Sequence, residues 1–67
     1  MAKMHAFIGG WVAEEKILDA IGQDSPATID YLVKDYETSV GGLTLDEAKE
    51  LLEWGFNTKM DIKFETA

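Results

Sequence analysis

Leu43-Thr44-Leu45-Asp46-Glu47-Ala48-Lys49-Glu50-Leu51-Leu52-Glu53-Trp54-Gly55-Phe56 holds a start signal, an apolar stripe and a stop signal in one stretch. Thr44 is a good N-cap, because its hydroxyl can accept a hydrogen bond from an orphan N–H of the first turn. Glu47, three residues on, can reach back to the Thr44 N–H and complete a capping box, with Leu43 and Ala48 at the staple positions. Asp46 and Glu47 place negative charge at the positive end of the helix dipole. Gly55 fits the left-handed residue that ends a helix, and Phe56 after it can pack back on Leu51. These signals predict a helix over 45–54. At about 100° per residue, Leu45, Ala48, Leu51 and Leu52 share one face. Asp46, Glu50 and Glu53 form a stripe on the opposite face, and Trp54 lies on the border between the two.

Working outward, Met60 to Glu65 alternates apolar and charged residues, which predicts a strand over 60–65 after a turn at Asn57-Thr58-Lys59. Upstream, Ser25-Pro26 reads as an N-cap followed by proline at the first helical position. Ile29, Leu32, Val33 and Tyr36 recur at helical spacing, so a helix is predicted over 26–37, with Tyr31 on its exposed side. Thr38-Ser39-Val40-Gly41-Gly42 reads as the loop leading to Thr44. Ala13, Ile17, Ala20 and Ile21 share a face, which predicts a helix over 13–21 stopped by Gly22. Met4 to Ile8 alternates as a short strand, broken by Gly9-Gly10. Val12 is expected in the core, and Phe7 and Trp11 at its edge. The expected fold is α+β: three short helices (13–21, 26–37, 45–54) packed on a two-stranded sheet (4–8 and 60–65).

Sixty-seven residues make one domain, 1–67, with a small core. There is no cysteine, so no disulfide or thiolate metal site supports it. Thirteen acids face six lysines and no arginine, for a formal net charge of −7. Phosphate backbones and anionic membranes are held by lysine and arginine, so direct nucleic-acid and membrane binding are disfavoured. A strongly acidic chain favours solubility and fast encounter with basic proteins. No apolar run reaches the length of a membrane span, and Met1-Ala2-Lys3-Met4-His5 does not read as a signal peptide. A cytoplasmic location is expected.

Catalytic chemistry finds no set of residues here. His5 is the single histidine, near a terminus, and cannot build a multi-histidine metal site. Ser25 is accounted for as a cap and Ser39 as loop chemistry. The glycine pairs lack phosphate-loop spacing. The reading is non-enzymatic, with no catalytic, metal or cofactor-binding residues and no cofactor. The candidate partner-binding residues are Asp46, Glu47, Glu50, Glu53 and Trp54, with Tyr31 as a further aromatic anchor.

Two resemblances bear on this reading. Thr44-Leu45-Asp46-Glu47-Ala48, with Glu50, Leu51, Glu53 and Trp54, resembles the helix of the small T7-type phage protein that inhibits bacterial RNA polymerase. In that family strands precede the helix and a final strand follows it. Here a helix is predicted over 26–37 instead, and the last strand carries only Lys63 where the family is basic. The resemblance implies an inhibitor that docks on the polymerase through charged surface strips. The predicted order of three helices and a strand also resembles a winged helix-turn-helix, with 45–54 as recognition helix, although its acids repel phosphate. The expected function is thus an acidic module that docks on a basic, nucleic-acid-binding surface of a host complex, as inhibitor, regulator or DNA mimic. The alternatives are a winged-helix transcriptional regulator and a homo-oligomeric structural protein.

Overall fold

The computed structural model describes residues 3–66; Met1 and Ala2 of the N-terminal stretch lie outside them. Six elements follow in order: β1 (Met4–Ile8), α1 (Glu14–Ile21), β2 (Thr28–Val33), β3 (Tyr36–Leu43), α2 (Leu45–Thr58) and β4 (Ile62–Thr66). The strands form one antiparallel sheet in the order β2-β3-β1-β4. The α+β class holds, but the expected three helices on two strands are corrected to two helices and four strands among the described residues.

The correction lies in residues 26–42. Where a helix over 26–37 and a loop over 38–42 were expected, β2 and β3 form a hairpin around Lys34-Asp35. Ile29, Leu32, Val33 and Tyr36 do fit a helical period. However, Thr28, Ile29, Tyr31 and Val33, then Tyr36, Thr38 and Val40, are β-branched or aromatic residues that suit a pleated surface. β1 decides the choice, because β3 pairs with it from Thr38 to Leu43 and becomes an interior strand. Thr38, Ser39 and Val40, expected in a loop, are all buried. The Gly41-Gly42 pair forms an irregularity within β3 rather than a linker. The register runs from Met4↔Leu43 to Ala6↔Val40, so β3 carries one extra residue there, and Gly42 takes φ +76°. Ser25 caps no helix; its Oγ instead accepts a hydrogen bond from the Ala27 N–H at 3.1 Å. The three-helix order behind the winged-helix resemblance is therefore not present.

Both helices cover the same face of the sheet. Ala6 and Ile8 of β1, Val40 and Leu43 of β3, Ile17 and Ile21 of α1, and Leu51 of α2 close the core with Val12. Val12 enters the core as expected, whereas Trp11 is 71% exposed. Phe7 is half-buried on the uncovered face of the sheet, its ring stacked on His5 at 4.6 Å and 5.9 Å from Tyr36.

Helix α2 is longer than expected. Gly55 does not end it but lies buried inside it, where β4 passes close. A Cβ on Gly55 would run into the Ile62 side chain, so the glycine serves packing rather than a stop. The helix ends at Lys59, which is left-handed (φ 58°, ψ 37°). Lys59 N donates to Phe56 O at 3.4 Å and Met60 N to Gly55 O at 2.9 Å, the paired bonds of a Schellman cap. The expected turn at 57–59 is thus the last helical turn and its cap, and the strand begins at Ile62 rather than at 60. Phe56 does not fold back on Leu51; it is 84% exposed.

Leu32 is the one strained position in the hairpin, a left-handed leucine (φ 61°) that is 87% exposed. A leucine there carries a steric cost of about 1–2 kcal/mol that asparagine, with its short polar side chain, largely avoids. Leu32→Asn is expected to raise the unfolding free energy by about 0.5–1 kcal/mol, read as a higher urea midpoint at unchanged m-value.

Candidate protein-binding face

Helix α2 has three sides, each set by its sequence spacing. Ala48, Leu51 and Gly55 face the core and are buried. Asp46, Glu50 and Glu53 point directly away from it and are exposed. The stripe read from the sequence is therefore a crest of carboxylates on the outside of the molecule. Among the described residues the one ion pair is Lys63–Glu65 at 3.4 Å on β4, so no crest carboxylate is held in an ion pair there.

The other predicted site residues are placed differently. Glu47 is half-buried and its carboxylate is engaged by the fold. Its Oε1 accepts from Thr44 N at 2.9 Å and its Oε2 accepts from the Ser25 hydroxyl. Glu47 N in turn donates to Thr44 Oγ1 at 3.2 Å, so the capping box is complete and is tied to the segment before β2. Trp54 is half-buried and packs against the core cluster on the flank of the crest. Tyr31 is 42% exposed, as expected, but it stands on the outer strand β2 rather than on a helix. The structure thus gathers Asp46, Glu50 and Glu53 on one surface, with Trp54 at its edge and Tyr31 on a separate element.

On the opposite flank the sequence reading missed exposed apolar groups. Leu45 and Leu52, expected to face inward, are 61% and 54% exposed, and with Phe56 they form a greasy side to α2. The signal was present in the spacing, since residues 45, 52 and 56 lie at i, i+7 and i+11 and share a line along a helix. Their exposure depended on α2 turning Ala48, Leu51 and Gly55 inward.

Thr44 holds the crest in place by fixing the helix start. Thr44→Ala is expected to cost about 1 kcal/mol of stability, measured as a lower midpoint in urea, because the Glu47 N–H loses its partner.

Among the described residues no three histidine, aspartate or glutamate side chains gather where a metal ion could sit. Among the same residues no helix is long and apolar enough to cross a membrane. The fold and crest define an acidic α+β domain that presents one helix outward. No family model, curated protein or solved structure matches this chain.

Proposed function

We infer that the protein is a small, non-enzymatic binding module that docks the α2 crest on a basic protein surface. Such surfaces include those that normally hold nucleic acid, so the module would act as an inhibitor or regulator of a host complex that carries one. The observation behind this reading is the row of Asp46, Glu50 and Glu53 on one helix, exposed and without an ion pair among the described residues. Preorganised like charges on one face steer a complementary partner and reject phosphate. A net charge of −7 without arginine acts in the same direction.

The likeness of residues 44–54 to the T7-type phage inhibitor of bacterial RNA polymerase gives this reading its most specific form. In that family strands come before the helix and a strand after it. The β2–β3 hairpin, α2 and β4 follow the same order. The hairpin in place of a helix over 26–37 supports the likeness, while α1 ahead of it and the single Lys63 on β4 remain differences.

Immobilised protein titrated with purified bacterial RNA polymerase tests the proposal, alongside the variant Glu50→Lys/Glu53→Lys and a gel shift with random DNA duplex at low salt. Capture by the wild type, loss of capture by the variant and an unshifted duplex are the expected results. A shifted duplex, or equal capture by both proteins, would remove the crest from the function.

A further inference from the structure

Strand β4 leaves one side of the sheet open. It pairs with β1 along one edge, and the order β2-β3-β1-β4 places no described strand on the other. The free backbone groups on that edge can be identified. Gly9 N donates to Asp61 O at 2.6 Å, so the Asp61 carbonyl faces β1. By strand alternation the groups of Lys63 and Glu65 face β1 as well, and those of Ile62, Phe64 and Thr66 face outward. An open edge of this kind invites another strand. The opposite edge, β2, is a poorer template, because the left-handed Leu32 interrupts its extended backbone.

Charge and shape on β4 select a second copy of this chain as that strand. Lys63 and Glu65 are two residues apart, stand on the same face of the strand and are both more than half exposed. If two β4 strands run antiparallel about a two-fold axis at Phe64, Lys63 of each copy lies opposite Glu65 of the other. Phe64 meets Phe64, and Ile62 meets Thr66. Opposite charges directly across an antiparallel pair stabilise it, and like charges oppose it. Next to this edge, on the helix side, Met4, Leu45, Ala48, Leu52 and Phe64 line a depression of about 160 Å³ in which Lys49 is the only charged group. The two-fold axis turns the exposed Leu45 and Leu52 of the two copies toward one another. The acidic crest of α2 lies on another side of that helix and stays outward.

We propose that the protein forms a two-fold homodimer in which the β4 edges pair antiparallel, with Lys63 facing Glu65 across the interface, giving one continuous sheet. The interface is isologous, so every contact is made twice. It leaves the crest free on each subunit, and its existence does not depend on what the crest binds.

Sedimentation velocity on the full chain, from micromolar to millimolar concentration at physiological salt, tests the pairing and its register. The wild type should sediment at twice the 7.5 kDa of one chain. Lys63→Glu and Glu65→Lys should each weaken dimerisation by roughly tenfold or more, since each sets like charges opposite one another twice. The first variant makes the chain more acidic and the second less, so a loss in both cannot come from net charge. An equimolar mixture of the two variants should regain wild-type association as a heterodimer, because the new carboxylates then face the new ammonium groups. Mixing does not repair the pair within a chain, so rescue reports on the interface alone, with circular dichroism confirming that each variant is folded. A wild type that stays monomeric at millimolar concentration overturns the dimer. Folded single variants as dimeric as the wild type, or a mixture no tighter than its components, overturn the register.

Discussion

Val40→Asp is expected to leave the chain unfolded in water at room temperature. Val40 is fully buried in β3, between Ile29 of β2 and Ala6 of β1. The substitution forfeits the burial of the valine, about 1.5–3 kcal/mol. It also places a carboxyl group where no cation can reach it, and removing that group from water costs several kcal/mol more. A chain of 67 residues has about 3–10 kcal/mol of total stability at ordinary values per residue. The two losses together consume most or all of it. Far-UV circular dichroism and the spread of amide resonances would show the outcome directly. The same substitution in a solvated loop, which is what residues 38–42 suggest in isolation, would change stability by less than about 0.5 kcal/mol. A well-folded variant with a near-normal urea midpoint would mean that β3 is not the interior strand.

The second large effect is on binding. Glu50→Lys/Glu53→Lys should weaken attachment to a basic partner by at least about 100-fold, while the isolated protein stays within about 0.5 kcal/mol of the wild-type stability. Both side chains are exposed, make no ion pair among the described residues and sit on the outermost side of α2. Lysine is as good a helix former as glutamate, so the helix loses little. Each reversal turns an attraction across the interface into a repulsion, and close charge pairs at interfaces couple by more than 1 kcal/mol. The effect should shrink as salt is raised, because exposed charges are screened within about 8 Å at physiological ionic strength. Affinity measured by calorimetry or surface resonance at two salt concentrations separates this from a folding defect. Equal affinity of wild type and variant would leave the crest as an ordinary solvated helix face.

The same helix shows what could be read in advance and what could not. Its start was legible because a capping box closes within four residues: Thr44 and Glu47 exchange bonds as their spacing suggests. Its outward acids were legible because periodicity alone sets Asp46, Glu50 and Glu53 opposite Ala48 and Leu51. Its end was not. Gly55 is as suitable for a close contact as for a cap, and the chain uses it for the contact with Ile62, seven residues further on. Periodicity places Leu45 and Leu52 on the apolar face and predicts them buried. In a domain this small two helices do not cover a four-stranded sheet to its edge, so the flank of α2 beside β4 stays open.

Features that depend on neighbours along the chain or on totals were legible in the residues alone: the charge of −7, the lack of cysteine, the strand at Met4–Ile8, the helix ending at Ile21, the capped start of α2 and its carboxylate crest. Tertiary structure decided residues 26–42. There the apolar positions satisfy a helical period and a strand period alike, and local propensity could not choose between them. The choice was made by β1, which pairs with β3 residues far along the chain, Ile8 with Thr38 and Met4 with Leu43, and whose backbone groups needed partners on both sides. Meeting that need with β3 and β4 turned a predicted loop into the centre of the sheet and left the edge of β4 open.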